Sequence, residues 1–152
     1  MYLMDRPLRF GVAGAGYFGK NYIRILQDMP GAKLAALADS SPDFEKKFPT
    51  LPPTVKRFTD ADALISDPDT DCIVIATPAI SHSALIAAAL RAGKHTLVEK
   101  PMAMNMREAE EILGAVEKSG RTFMVGHQYL YHDHVRHLKS EIEKGVVGRP
   151  RY

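Results

Sequence analysis

The sequence has only one cysteine, no run of apolar residues of membrane-spanning length, and almost no excess of one sign of charge. Cys72 has no partner in the chain, which excludes a disulfide framework and a cysteine-based zinc site and is typical of a reducing compartment. The first ten residues, MYLMDRPLRF, carry charges where a signal peptide would be apolar. We therefore expect a cytoplasmic protein without a membrane partner.

The charges of the chain are nearly balanced, since 20 lysines and arginines face 18 aspartates and glutamates and leave a formal charge of +2. The basic residues are scattered rather than gathered in a stripe, so the sequence does not indicate a nucleic-acid partner. With 152 residues, of which 45% are hydrophobic, the chain is long enough to bury the core of one globular domain.

Short apolar runs alternate with helical patterns along the chain. The runs predict strands at residues 8–13, 33–38, 55–58, 72–76, 95–98 and 122–125, of which the run at 55–58 is the weakest. Runs such as CIVIA, which are apolar along both faces, are typical of parallel strands covered by helices on both sides. The sequence therefore predicts an α/β fold with a doubly wound, mostly parallel sheet.

Capping residues mark three of the helices. Each predicted helix begins at a polar residue and stops at a glycine, as capped helices commonly do. Ser81 and Asn105 (paired with Glu108) are the predicted N-caps of helices that stop at Gly93 and Gly120, and the last helix is predicted at roughly residues 132–144, ending at Gly145.

Three glycines lie where the first strand hands over to the first helix. In the pattern Gly14-x-Gly16-x-x-Gly19 the first glycine permits a tight turn, the second lets a pyrophosphate approach the backbone, and the third lets the helix pack against the strand. A helix beginning near Tyr17 would direct its free N–H groups at the phosphates, so Tyr17 and Phe18 are candidate cofactor-binding residues as well. The alternative is a glycine-rich turn without a ligand.

An aspartate follows the second predicted strand, twenty residues after Gly19. Asp39 is placed to accept hydrogen bonds from the ribose hydroxyls of a dinucleotide, with Ser40 beside it. A carboxylate repels the 2′-phosphate of NADP, and Ser40, Ser41 and Pro42 provide no arginine to neutralise it, so NAD is expected rather than NADP. The alternative is that Asp39 merely ends a strand in a turn.

Two further loops leave the predicted sheet at the same edge. Thr77 and Pro78 follow a central strand, where ligands bind in open α/β sheets, and His82 begins the next helix, where it is either a ligand contact or only part of the helix cap. Glu99 and Lys100 follow the next strand. A lysine here can hold a substrate hydroxyl and take part in proton transfer, and the alternative is a solvated surface lysine.

Four segments together strongly resemble the Gfo/Idh/MocA family, the glucose-fructose oxidoreductase and inositol dehydrogenase group. The segments are GVAGAGYFG, ATPAISH, AGKHTLVEKP and VGHQYLYHDHVRHLKSEIEKGVVG, and the resemblance covers nearly all of residues 8–152. It implies a Rossmann domain followed by a substrate-binding α/β domain. It also implies that the loop ending at His82 lies beside the cofactor and that Lys100 is a catalytic residue near nicotinamide and substrate. The sequence leaves open whether the peptide bond before Pro101 is cis.

The histidine-rich segment HQYLYHDHVRHL has two interpretations. His127, His132, His134 and His137 suggest a metal site, but no carboxylate or cysteine completes a ligand set, so we expect no metal. The resemblance instead places this segment along the substrate pocket and makes His127 a candidate substrate contact. Within the family it is most similar to members that act on nucleotide-linked sugars.

These patterns lead to one expected function and one alternative. We expect residues 1–126 to form the dinucleotide-binding domain of an NAD-dependent oxidoreductase acting on a sugar, cyclitol or nucleotide-sugar hydroxyl. Residues 127–152 would form a helix and the start of the connection to a second domain absent from this chain, so that the chain binds NAD(H), turns over sugars weakly or not at all, and self-associates through uncovered apolar surface. The alternative is a non-catalytic dinucleotide-sensing module.

Overall fold

The computed structural model describes residues 6–41 and 43–151, in which strands and helices alternate as expected. The expectations that involve residues 1–5, Pro42 or Tyr152 lie outside the described residues. The strands are β1 (Leu8–Ala13), β2 (Ala32–Ala38), β3 (Lys56–Phe58), β4 (Cys72–Ile75), β5 (His95–Val98) and β6 (Phe123–Val125). The helices are α1 (Gly19–Asp28), α2 (Ala61–Ser66), α3 (His82–Arg91), α4 (Met106–Ser119) and α5 (Asp133–Glu143), with short 3₁₀ turns at Phe44–Lys47, Ala79–Ser81 and Gln128–Tyr131.

The six strands form one parallel sheet in the order β3-β2-β1-β4-β5-β6, which confirms the predicted doubly wound fold. Val12 of β1 lies between Leu37 of β2 and Val74 of β4. The chain moves outward in one direction from β1 to β3 and in the other direction from β4 to β6. The loops after β1 and β4 therefore diverge, and this topological switch point is where open α/β sheets bind their ligands.

The core covers both faces of the sheet. Ile73 and Ile75 of β4 pack on one face with Ile86 of α3. Val74, between them, packs on the other face with Ile23 of α1. Burial of each such side chain contributes about 1.5–3 kcal/mol, so every residue of this strand is apolar and the two helix layers are both held to the sheet.

The helix ends test the capping predictions. Asn105 Oδ1 accepts from the Glu108 N–H (3.0 Å), its amide donates to the Glu108 carboxylate (3.0 Å), and α4 stops at Gly120 with φ of 61°, as predicted. Ser81 stands at the predicted N-cap of α3, but the predicted side-chain cap is wrong. Its hydroxyl donates to the Pro78 carbonyl (2.8 Å) instead, because a 3₁₀ turn precedes the helix.

Two helices differ from the expectation, one in its start and one in not having been predicted. Helix α1 begins at Gly19, two residues after the expected start at Tyr17. Helix α2 was not specifically predicted, because six residues are too few to show a helical period. None of the described helices is long and apolar enough to cross a membrane.

Candidate functional site

The three glycines of the loop after β1 have three different environments. A Cβ on Gly14, which has φ of 90°, would lie 2.6 Å from the Ala76 carbonyl oxygen, and a Cβ on Gly19 would overlap the Gly14 carbonyl. A Cβ on Gly16 would meet nothing within 4 Å. Gly14 and Gly19 are therefore required by the protein's own packing, whereas Gly16 faces open space that a ligand can fill.

The N-terminus of α1 is left open. Phe18 at the N-cap makes no side-chain capping bond and the first turn contains no acidic residue, in contrast to α2, which is capped by Asp60. Within residues 6–41 and 43–151, the backbone N–H groups of Gly16, Tyr17 and Phe18 have no protein acceptor. These donors and the positive end of the helix dipole together suit an anion such as a diphosphate.

Asp39, which follows β2, is hydrogen-bonded to the glycine loop. Its Oδ2 accepts from the Ala15 N–H (2.7 Å) and its Oδ1 from the Ser41 N–H (2.9 Å). A carboxylate oxygen can accept more than one hydrogen bond, so both Asp39 oxygens retain capacity for a ligand hydroxyl. The carboxylate is thereby fixed beside the glycine loop.

A cleft of about 580 Å³ opens between the glycine loop, the end of β2 and the loop after β4. Six of the predicted cofactor-binding residues line it, namely Gly14, Gly16, Asp39, Ser40, Thr77 and Pro78. The other candidates, Tyr17, Phe18, Gly19, His82, Glu99 and Lys100, are not among the residues that line it. The predicted set thus divides into a cleft group and a group arranged around it.

Among the residues of the cleft that were not identified from the sequence are two polar ones. Thr59 and Asp60 line the cleft on the same side as Asp39, because β3 pairs with β2 and ends beside it. The available signal was Asp60 at the start of α2, where its carboxylate accepts from the N–H groups of Asp62 and Ala63. A second carboxylate at this end of the cleft adds to the negative charge that Asp39 provides.

The loop after β4 is fixed by its own side chains. The Thr77 and Ser81 hydroxyl oxygens lie 2.7 Å apart. The His82 ring is buried, with Nδ1 2.8 Å from the Pro101 carbonyl oxygen and Nε2 2.9 Å from the Thr77 carbonyl oxygen. Both ring nitrogens are engaged within the protein, so the predicted cofactor-binding role of His82, which stays a prediction, would be indirect.

Glu99 is buried at the end of β5 with a partner from α1. Its Oε1 accepts from the Tyr22 hydroxyl (2.8 Å) and its Oε2 from the Lys100 N–H (3.2 Å). Burial, and then the hydrogen bond to Glu99, raise the pKa of Tyr22 above its usual range. A Cβ on Gly126 would lie 3.2 Å from the Tyr22 hydroxyl, so glycine leaves space for this pair. Tyr22 was not among the residues predicted from the sequence, although its spacing from Gly19 places it on the inner face of α1.

Lys100 lies exposed between the glycine loop and a second cavity. Its ammonium is 5.5 Å from the centre of the Phe18 ring, and the peptide bond between Lys100 and Pro101 is cis. The second cavity, of about 740 Å³, is lined mainly by apolar groups and includes Lys100, Pro101, His127 and Tyr129. Lys100 and His127, the two predicted substrate contacts, therefore share one cavity.

The remaining histidines and a further groove do not contribute to this arrangement. His132 and His134 have ring centres 5.1 Å apart, and the described part of the chain contains no group of three or more histidine, cysteine, aspartate or glutamate side chains able to hold a metal. A groove of about 850 Å³ lies between α3 and α4, and none of the candidate residues lines it.

Proteins similar to this chain include members of one oxidoreductase family. The family described as an oxidoreductase family with an NAD-binding Rossmann fold, GFO_IDH_MocA, matches residues 8–127. Inositol 2-dehydrogenase from Acidothermus cellulolyticus is 34% identical over 148 residues, which are 96% of this chain and 43% of that protein.

Two solved structures show the same fold. KijD10, a 3-ketoreductase from Actinomadura kijaniata in complex with TDP-benzene and NADP, has a TM-score of 0.84 at 29% identity and covers 93% of this chain and 45% of its own. Scyllo-inositol dehydrogenase from Lactobacillus casei, with bound NAD(H) and scyllo-inositol, has a TM-score of 0.82 at 25% identity and covers 94% of this chain and 43% of its own. The chain thus spans less than half the length of each of these proteins. Because the family match covers well over half of the chain, the protein belongs to the Gfo/Idh/MocA oxidoreductase family with an NAD-binding Rossmann fold.

Proposed function

We propose that this chain is the dinucleotide-binding part of an NAD-dependent oxidoreductase that transfers hydride between the cofactor and a hydroxyl of a sugar, cyclitol or nucleotide-linked sugar. The observation that carries the proposal is the open glycine loop, which meets Asp39 in one cleft at the switch point of the sheet. Membership of an oxidoreductase family favours an enzyme over a non-catalytic sensor. The predicted cytoplasmic location stays a prediction.

In this proposal the cofactor is held by the backbone more than by side chains. The N–H groups of Gly16, Tyr17 and Phe18 bind the diphosphate at the start of α1. Asp39 accepts hydrogen bonds from the adenosine ribose, with Ser40 beside it, while Thr77 and Pro78 form the opposite wall of the cleft. When bound, the nicotinamide supplies the carbon that accepts or donates the hydride.

The charge of the cleft favours NAD over NADP. Asp39 and Asp60 both line the end expected to hold the ribose, and no lysine or arginine is among the residues that line the cleft. A 2′-phosphate there would be desolvated beside two carboxylates without a counter-charge.

Fluorescence titration with NADH and NADPH tests this choice. We expect NADH to bind at least about tenfold more tightly, and we expect the double variant Asp39→Ser, Ser40→Arg to reduce or reverse the preference. Tighter binding of NADPH by the unaltered protein would overturn the assignment.

Lys100 is the group proposed to act on the substrate. Its ammonium has no carboxylate partner within 4 Å among the described residues, and it borders the cavity that contains His127. When a substrate carbonyl is reduced, the ammonium donates a hydrogen bond and then its proton to the carbonyl oxygen. When a hydroxyl is oxidised, the neutral amine accepts the hydroxyl proton, while His127 contacts another part of the substrate.

The catalytic proposal is tested with Lys100→Met, which keeps the length of the side chain and removes the charge. In the full-length protein, we expect the rate of NAD reduction with the best of a panel of sugars, cyclitols and nucleotide-linked sugars to fall by about 100-fold or more, while NADH affinity changes less than about twofold. A variant as active as the unaltered protein would exclude the role of Lys100. Absence of NAD-coupled oxidation by the full-length protein with every substrate of the panel would count against the function itself.

The division of the chain is also a proposal. Residues 1–126 would form the dinucleotide-binding domain and residues 127–152 the start of the connection to a substrate domain. The exposure of α5 supports this division, because neither α5 nor the turn before it has a buried side chain. The apolar residues exposed on one face of α5 are Val135, Leu138 and Ile142. The chain expressed by itself is therefore expected to bind NADH, to oxidise sugars weakly or not at all, and to self-associate, whereas a monomer at high concentration in light scattering would contradict the last expectation.

A further inference from the structure

One buried histidine joins two loops that otherwise touch different parts of the site. His82 is the first residue of α3 and is 1% exposed. Its Nδ1 lies 2.8 Å from the carbonyl oxygen of Pro101, next to Lys100, and its Nε2 lies 2.9 Å from the carbonyl oxygen of Thr77, which lines the cofactor cleft.

The hydrogen-bonding capacity of imidazole limits what this ring can do. Each ring nitrogen faces one carbonyl oxygen at hydrogen-bond distance, and a ring N–H donates to the carbonyl that it faces. The ring is too buried to exchange these carbonyls for water, and an unpaired buried carbonyl or ring nitrogen is costly. His82 therefore links the loop after β4 to the loop after β5 and has no nitrogen left for a ligand.

Each of the two loops also contacts or carries a further part of the site. The Thr77 backbone N lies 2.8 Å from where a Cβ on Gly14 would stand, so the loop after β4 abuts the glycine loop directly. The Pro101 carbonyl belongs to the residue after Lys100, so a shift of this carbonyl moves the backbone that carries the lysine. A displacement at one end of the His82 ring reaches the cofactor cleft, and a displacement at the other end reaches Lys100.

We propose that His82 is a positioning residue that sets the position of Lys100 relative to the cofactor cleft by holding the Thr77 and Pro101 carbonyls at the two ends of one imidazole. The inference rests on the proposed function, since it assigns the cleft to the cofactor and Lys100 to the substrate. It makes the effects of the two ring nitrogens separable.

Two amide variants distinguish the contribution of Nδ1 from that of Nε2. In His82→Asn the amide nitrogen takes the place of Nδ1 and keeps the bond to Pro101, whereas in His82→Gln it takes the place of Nε2 and keeps the bond to Thr77. We expect His82→Asn to weaken NADH binding about fivefold with little change in the rate at which an acylating reagent modifies Lys100, measured by peptide mass spectrometry. We expect His82→Gln to change the rate of Lys100 acylation about threefold or more and to leave NADH affinity within about twofold.

The control is His95→Asn, at the opposite edge of the sheet, which should change neither quantity. Two unchanged His82 variants, or two variants that lose both properties equally, would overturn the inference. Failure of the unaltered protein to bind NADH would instead contradict the proposed function.

If the variants do not fold, a measurement on the unaltered protein tests the proposed role of His82. The imidazole ¹H–¹⁵N spectrum should show a slowly exchanging ring N–H of His82 whose resonance shifts when NADH is added. A ring N–H that exchanges as in free histidine, or that does not respond to NADH, would overturn the proposal.

Discussion

The two edges of the parallel sheet differ in whether their free N–H groups and charged side chains have hydrogen-bond partners within the protein. At the carboxyl edge, the N–H groups of Gly16, Tyr17 and Phe18 lack a protein acceptor in the described chain, and Lys100 is exposed without a carboxylate partner. At the amino edge, Asp71 accepts from the side chains of Arg6 and Arg9 and from the Arg9 N–H, at 2.7 to 3.2 Å.

A buried lysine shows the same contrast at the amino edge. Lys94 is buried, and its ammonium donates to the carbonyls of Asp67 and Thr70 at 2.8 and 2.7 Å, while Lys56 bonds the Asp67 carboxylate at 2.7 Å. Burial lowers the pKa of Lys94, whereas the nearby aspartates raise it. Both lysines have their partners within the fold, and Lys100 does not.

The contrast separates stability from binding. Charged groups that are satisfied inside the protein connect loops and stabilise the fold, whereas groups left without partners beside a cavity are available to a ligand. Substitutions at the amino edge should therefore change the free energy of unfolding, and substitutions at the carboxyl edge should change NADH affinity.

The largest expected effect is at Gly16. A Cβ there meets no atom of the described residues within 4 Å, so Gly16→Val should leave the unfolding midpoint nearly unchanged while it blocks the approach of the diphosphate to the backbone. We expect NADH affinity to fall by about 100-fold, which is about 2.7 kcal/mol. Fluorescence titration and thermal unfolding measure the two quantities.

Gly114 provides the matched control for this substitution. It also has open space around it, but it lies on α4, away from the cleft. Gly114→Val should bind NADH like the unaltered protein. Loss of affinity in both variants, or in neither, would break the proposed contrast between the edges.

The next effect is at Asp71, whose side chain is 16% exposed. Asp71→Asn removes the charge that Arg6 and Arg9 share, so we expect a loss of about 2 kcal/mol in the free energy of unfolding and no change in NADH affinity. Asp43→Asn, which removes the carboxylate of the exposed pair with Lys46, should cost less than about 0.5 kcal/mol. Chemical denaturation gives both values, and equal losses would contradict the prediction.

The same aspartate predicts a dependence of stability on pH. Hydrogen bonds from Arg6 and Arg9 hold the pKa of Asp71 well below its ordinary value of 3.8. A carboxyl group whose pKa is lowered by folding stabilises the protein above its unfolded pKa, and that stabilisation disappears as the pH falls. The difference in stability between the unaltered protein and Asp71→Asn should therefore be constant near neutral pH and shrink below about pH 4.

Lys94 is expected to follow with a smaller effect. Lys94→Met keeps the length of the side chain but leaves the carbonyls of Asp67 and Thr70 without their donor, which should cost about 1–2 kcal/mol of stability. The exposed Lys118 on α4 is the control, since Lys118→Met should be nearly neutral. A change in NADH affinity in Lys94→Met would show that the amino edge influences the site.

Features of the fold and the site could be predicted from the sequence when residues close together in the chain determine them. The strands, the glycine loop and the Asn105 cap are set by neighbouring residues, so pattern and spacing located them. Asp60, Tyr22 and the two partners of His82 are brought to the site by strand pairing and helix packing, which spacing along the chain does not reveal. Ser81 shows the same limit on a small scale, because its hydroxyl was expected to accept from the helix N–H groups and instead donates to the Pro78 carbonyl.

The smallest expected effect concerns a hydrogen-bonded pair at the carboxyl edge. Tyr22 and Glu99 are satisfied inside the protein, like the groups of the amino edge, yet Glu99 also accepts from the N–H of Lys100. Tyr22→Phe removes one donor from the buried carboxylate without emptying space, so we expect a loss of about 1 kcal/mol in stability together with a change of less than about threefold in NADH affinity. Because this pair lies between the helix that carries the glycine loop and the strand end that carries Lys100, a measurable change in both quantities would show that stability and binding are joined here and separate elsewhere. A change in stability alone would place the pair with the amino edge, and the division between the two edges would then follow hydrogen-bond satisfaction rather than position in the sheet.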